Sequence, residues 1–311
     1  MNTALNRRTV LLAATLGAGT LLQACGGGDD EPQRNIVELA QNTPELSILV
    51  EAVVAAGLAP TLSTGTLTVF APTNAAFAAL LAELGMTKDA LLANKPLLTA
   101  VLTYHVLGSK VVRADVPLGK AIAPVSGGFF KIESGNGLKI TDGRNRVSTV
   151  TSTDIQASNG VAHLIDRVLL PADKDIVATA SALPDFSILV EAVVAAGLVS
   201  TLQGTGPFTV FAPTNAAFAA LLTELGVSKA DLLANTALLT KVLTYHVVPA
   251  RVLKAEVPTN TAITTVQGQS FTVSPSLVIT DQNLRTSNIT AADVFTSNGV
   301  IHLVDKVILP K

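Results

Sequence analysis

Thr68-Val-Phe-Ala-Pro-Thr-Asn-Ala-Ala-Phe-Ala-Ala-Leu-Leu81 occurs twice in the chain, the second time unchanged as Thr209 to Leu222. Within it, Thr73 is placed to cap a helix. Phe77, Leu80, Leu81 and Leu84 then fall at i, i+3, i+4 and i+7, which gives one buried face, and Gly85 supplies the stop. Because the block is duplicated, whatever it folds into is built twice.

Other blocks recur in the same order. Leu46–Leu58 returns as Phe186–Leu198 with only its first residue changed, Leu102–Val106 as Leu243–Val247, and Ser158–Asp166 as Ser297–Asp305. The offset between copies moves from 140 to 141 to 139 residues. One residue is gained opposite the Gly/Thr-rich Thr61–Thr66, and two are lost at Ser134-Gly135-Asn136-Gly137, an Asn-Gly hairpin signal. A period this long describes tandem domains and not a solenoid. The expected boundaries are a leader at 1–24, a tether at 25–33, a first domain at 34–171 and a second at 172–311.

Each copy reads as helical in its first half. Ser47 is expected to cap a run to Ala56 that Gly57 ends, and a further helix covers Leu97–Val106, started by Pro96. The second half reads as β: Lys110–Val116, Phe129–Ile132, Leu138–Asp142, Val147–Ile155 and a last strand Val161–Leu170. Ser158-Asn159-Gly160 is expected to join the last two strands. Helices followed by strands imply an α+β fold.

Composition excludes several function classes. Of 311 residues, 49% are hydrophobic and 14% charged, which rules out a disordered chain. Mean hydropathy is +0.49, yet the longest charge-free apolar stretch, Thr9–Leu22, is shorter than the roughly 20 residues a bilayer span needs. Without Arg7 and Arg8, 19 basic residues face 23 acidic ones, there is no Trp, and aromatics are 4%. Nucleic-acid binding lacks both its charge and its stacking platforms.

The N-terminus reads as an export address. Arg7-Arg8 before the apolar run resembles a twin-arginine signal, and general secretion would also accept it. Leu22-Gln-Ala-Cys25 resembles the lipobox of bacterial lipoproteins, which implies lipidation of Cys25, the sole cysteine, and cleavage before it. Several acyl chains at ~0.8 kcal/mol per buried CH₂ would anchor durably. Gly26, by resemblance to enterobacterial lipoproteins, favours the outer membrane, with the domains facing the periplasm or the cell surface.

The histidines pair off between copies: His105 and His163 in one, His246 and His302 in the other. No HExxH, CxxC, GxSxG, P-loop or EF-hand spacing accompanies them. The expectation is that each is a partly buried group hydrogen-bonded to backbone or to an aspartate. Asp154, Asp166, Asp293 and Asp305 recur beside them and are expected to cap turns or face water. No catalytic residue, metal site or cofactor is assigned.

Thr68–Phe77, Tyr104-His105 and Asn159–Pro171 resemble the first box, the Tyr-His motif and the second box of fasciclin-like (FAS1) domains. All three return as Thr209–Phe218, Tyr245-His246 and Asn298–Pro310. The resemblance implies, for each copy, a β-sandwich wedge with a flanking helical layer. It also implies an extracytoplasmic role in adhesion to a protein or glycan of a cell surface or matrix. In animal relatives the Tyr-His region is linked to integrin binding, which makes Tyr104, His105, Tyr245 and His246 the candidate partner-binding residues. Two other readings stand beside a binding module: a hydrolase of an extracellular polymer, and a structural envelope protein without a discrete ligand.

Overall fold

In the computed structural model, which describes residues 33–311, the duplicated block divides at Thr73. Leu67–Pro72 is a strand, β1, and Asn74–Leu84 is a helix, α4. The leader, Cys25 and the tether as far as Pro32 lie outside the described residues.

The first domain runs α1 (Ile36–Gln41), α2 (Ser47–Ala55), α3 (Ala59–Leu62), β1, α4, α5 (Lys88–Ala93) and α6 (Lys95–Tyr104). It continues through β2 (Val106–Leu107), β3 (Ala121–Ile122), β4 (Phe130–Gly135), β5 (Gly137–Thr141), β6 (Val147–Ala157) and β7 (Gly160–Ile165). The second domain repeats the order: α7 (Ile176–Ser181), α8 (Ser187–Ala195), α9 (Val199–Leu202), β8 (Phe208–Pro213), α10 (Asn215–Leu225), α11 (Lys229–Ala234) and α12 (Thr236–Tyr245). Its later strands are β9 (Val247–Val248), β10 (Ile263–Thr264), β11 (Ser270–Val273), β12 (Val278–Thr280), β13 (Thr286–Thr296) and β14 (Gly299–Val304).

The α+β class and the helical layer hold. The wedge in each domain is one seven-stranded sheet, ordered β2-β1-β7-β6-β5-β4-β3 in the first. β1 lies parallel to β7, from Leu67 opposite Gly160 to Pro72 opposite Ile165, and the other pairs are antiparallel. Register shifts at Val150, Ser152 and Ile155 mark bulges in β6, and bulges bend a strand and raise its twist. The sheet thereby curls around its own core of Phe70, Tyr104, Phe130, Ile132, Ile140 and Ile165. Its other face packs on the helices through Val69, Ala71 and Leu164 against Leu46, Phe77 and Leu98. Alternate residues of β1 and β7 therefore feed two cores, as the period of two requires.

Several local expectations are corrected. The first half of each domain is not wholly helical, since it contributes an interior strand, β1 in the first and β8 in the second. Lys110–Val116 is irregular chain with a short 3-10 turn at Arg113–Asp115. The last strand stops at Ile165.

The Thr-Asn pair caps two helices at once. The Thr73 hydroxyl accepts the Ala76 N–H at 3.3 Å and starts α4. Asn74 Oδ1 accepts the Ile48 N–H at 3.0 Å, and its amide donates to the Pro44 carbonyl and the Ser47 hydroxyl, each at 3.0 Å. α2 thus takes its cap from across the domain, and Ser47 is its first residue and not its cap. Asn215 does the same for α8.

Asn159 works similarly at the start of β7. Its Oδ1 accepts the Ile36 N–H at 2.8 Å, and its amide donates to the Leu62 carbonyl at 2.9 Å, which ties α1 and α3 to the sheet. Gly160 beside it is required sterically: a Cβ there would stand 1.9 Å from the Leu67 carbonyl oxygen, and at Gly299 2.1 Å from that of Phe208.

Thr73→Ala and Thr214→Ala should each cost about 1 kcal/mol in urea unfolding. Asn74→Ala removes three hydrogen bonds and should cost about 2–3 kcal/mol.

Candidate functional site

The Tyr-His pairs fall where α6 and α12 end, and the structure buries all four side chains. The Tyr104 hydroxyl donates to the Phe129 carbonyl, and that of Tyr245 to the Ser270 carbonyl at 2.9 Å. Burial raises both phenol pKa values. His105 donates from Nδ1 to the Val101 carbonyl at 2.7 Å and accepts the Leu169 N–H on Nε2 at 2.9 Å. His246 bridges the Val242 carbonyl and the Ile308 N–H in the same way. Each imidazole is a neutral clamp between the end of a helix and the extended chain that closes its domain. None of the four side chains is presented at the surface to a partner.

His163 and His302 are clamps of the opposite tautomer. His163 donates from Nε2 to the Val111 carbonyl at 3.0 Å and accepts the Asp154 N–H on Nδ1 at 3.2 Å. His302 does so with Val252 and Asp293 at 2.9 and 3.1 Å. Asp154 and Asp293 sit in the bulges with φ of 60° and 64°. Their carboxylates accept the backbone N–H of Arg113 and Lys254, each from the loop that the histidine also grips. Asp166 and Asp305 cap the facing strands, accepting the Thr149 and Asn288 N–H groups at 2.7 Å. With both ring nitrogens of every histidine committed to backbone, none is free to act as general base or ligand in this arrangement. Among the described residues no group of three or more His, Cys, Asp or Glu could hold a metal ion.

The polar chemistry that is not internal to one domain lies at the seam between them. Lys131 of β4 donates to Asp293 of β13 at 2.7 Å and to Glu133 at 3.0 Å. Asp293 is 3% exposed. Burial alone would lower the Lys131 pKa, but its hydrogen bonds to Asp293 and Glu133 outweigh this and hold it above the ordinary lysine value. Asn145 supplies a mimic of strand pairing: its Oδ1 accepts the Phe295 N–H at 2.6 Å, and its amide donates to the Phe295 carbonyl at 3.0 Å. Beside it Phe129 and Phe295 meet at 4.7 Å between ring centroids, with the Arg251 guanidinium 4.4 Å over the Phe129 ring. Leu253 and Val300 complete the cluster.

The Fasciclin domain family matches the chain twice, at residues 44–171 and 184–310. The chain belongs to the fasciclin-domain family. It is similar to Protein sll1483 of Synechocystis sp., with 39% identity over 165 residues that cover 52% of this chain and 87% of that protein. It is 29% identical over 255 residues to the transforming growth factor-beta-induced protein ig-h3 of Sus scrofa, covering 79% of this chain and 35% of that one. Immunogenic protein MPB70 of Mycobacterium bovis is 36% identical over 149 residues, 45% of this chain and 70% of the relative. The chain therefore spans about a third of ig-h3 and most of the two bacterial relatives. Among solved structures, a FAS1 domain pair from the insect cell adhesion molecule Fasciclin I aligns with a TM-score of 0.43 and 19% identity, covering 85% of this chain and 97% of that one.

Sequence reasoning passed over Lys131, Asn145, Phe129 and Phe295. A signal was present in the repeat itself, because the two fasciclin domains differ where they touch. The positions matching Phe129, Lys131 and Asn145 in the second domain are Ser270, Thr272 and Leu284, and those matching Leu253 and Phe295 in the first are Val112 and Gln156.

Lys131→Ala leaves Asp293 buried without its cation. A deep pair would lose about 3–5 kcal/mol, and access of water at the seam reduces this to about 2–3 kcal/mol. Calorimetry should show the second domain melting earlier and a shared transition splitting in two. Burial lowers the pKa of His105 and His246 to about 4, against the pull of the Val101 and Val242 carbonyls. The unfolded chain then takes up protons first, so stability is full above about pH 6.5 and falls as pH drops toward 4. Melting temperature should be flat from pH 8 to 7 and decline between 6.5 and 5, before carboxylates titrate.

Proposed function

We propose that this chain is an envelope-anchored adhesion protein. In this reading the leader is removed, Cys25 carries lipid at the outer membrane, and the paired fasciclin domains contact a protein or glycan of a cell surface or matrix. The observation that carries it is the seam. Lys131–Asp293, Asn145–Phe295 and the aromatic cluster join two domains into one body, within a compact unit of Arg34–Lys311. A joined pair presents two surfaces at fixed spacing, which lets individually weak contacts act together. Histidines consumed as backbone clamps favour binding over hydrolysis.

Detergent phase partition tests the anchor: the wild-type chain should enter the detergent phase, and Cys25→Ser should stay in the aqueous phase. Cells expressing the chain should bind each other or fibronectin-coated beads more than cells lacking it, and protease added to intact cells should abolish the difference. Adhesion equal in both strains, or protection of the chain until lysis, would sink the adhesive reading.

A further inference from the structure

The seam is not closed along its whole length. Beside Lys131 and Asp293 the two domains and the linker line an open cleft of about 700 Å³, within the range of ligand sites. Its charges are unevenly matched. Lys131 is spent on Asp293 and Glu133, and Arg146 on Asp142, Glu83 and the Val168 carbonyl. Arg144 has one ionic contact, to the half-exposed Asp173 at 3.0 Å, while its Nε is shielded from solvent without a hydrogen-bond partner. The exposed Lys174 also lines the cleft, and its ammonium has no partner among the described residues.

Apolar side chains also line the cleft. Leu183, 38% exposed, stands there with Ala182, Val294 and Phe295. The turn that carries Arg144 is pinned by the buried Asp142, which accepts the N–H groups of Arg144 and Arg146 and the guanidinium of Arg146, so the backbone from which Arg144 reaches the cleft is fixed. The equivalent turn of the second domain carries Asn283 and Leu284 in place of Arg144 and Asn145, so this combination occurs once per pair.

We propose that the cleft is a recognition site for a short acidic-aliphatic peptide segment of a protein partner. A carboxylate meets Arg144 and Lys174, and a neighbouring aliphatic side chain lies on Leu183 and Val294. The choice of a protein partner rests on the adhesive reading above; the cleft chemistry does not. Arg144 is the anchor, since a guanidinium offers a carboxylate two parallel N–H donors and Asp173 can yield its place at little cost on the surface.

Fluorescence anisotropy of a labelled hexapeptide alternating Glu and Leu, titrated with the full chain in detergent, tests this. A Lys-Leu peptide of the same length is the control. The Glu-Leu probe should bind, more weakly as salt rises, and the Lys-Leu probe should not. Arg144→Gln with Lys174→Gln should weaken binding at least about tenfold, the loss of a charge-assisted contact of ~1.4 kcal/mol or more. Lys139→Gln with Lys241→Gln, an equal charge change at two exposed positions outside the cleft, should leave it within about twofold. Leu183→Ser gives an independent variant that keeps both cations and should also weaken the probe. Thermal melts of all variants show whether the fold is kept.

Absence of Glu-Leu binding, equal binding of both peptides, or equal affinity in the double variant overturns the cleft. Cell adhesion that survives the double variant overturns its role in adhesion and leaves adhesion itself standing. Peptide binding in a chain that supports no adhesion keeps the cleft and removes the adhesive reading.

Discussion

The parallel pairing of β1 with β7 is the constraint on which the domain depends. It joins Leu67–Pro72 from the helical half to Gly160–Ile165 at the far end, so α4–α6 and β2–β6 are laid down between the two partners. Side chains of these strands feed both cores, and the histidine clamps attach on either side of them. His163 rises from β7 itself, and His105 accepts from the chain that continues beyond it. Loop closure over such a span is an entropic cost that must be met before the pairing returns any energy. The glycine that opens β7 is what lets the two backbones meet at all.

Given that frame, the repeated motifs act as fasteners. Thr73 and Asn74 cap two helices, Asn159 holds two more to the sheet, and Thr68 grips the loop after β2 by donating to the Ser109 carbonyl and accepting the Val111 N–H. These polar side chains end on backbone that lacks a partner in its own element, which is the accounting a buried irregular chain demands. What is left for other molecules is therefore found away from the motifs, at the seam and on the outer faces.

Much of this was legible before any coordinates. The repeat, the α4 helix with its Thr73 cap and Gly85 stop, the Asn-Gly hairpin and the order of helices and strands follow from local chemistry. β1 did not, because Thr68-Val-Phe-Ala is a short apolar run with no alternation, and periodicity cannot separate a strand buried on both faces from buried helix. Lys110–Val116 is rich in β-branched residues yet stays irregular, since its N–H groups at Val111 and Arg113 are taken by Thr68 and Asp154 and leave no ladder to join. The seam was hidden for a different reason. Repetition marks the residues the two copies share, whereas two domains in contact need surfaces that differ.

The identity of Thr68–Leu81 with Thr209–Leu222 has a consequence for how the chain reaches its fold. β1 and β8 are the same strand in sequence from their second residue onward, and β7 and β14 begin with the same Gly-Val. Either early strand can therefore find the wrong late one, giving an entangled exchange of halves between neighbouring domains. During synthesis β7 emerges before β14, so order of appearance settles the pairing. A chain released from denaturant has both partners at hand, and its yield will depend on how quickly each domain closes on itself.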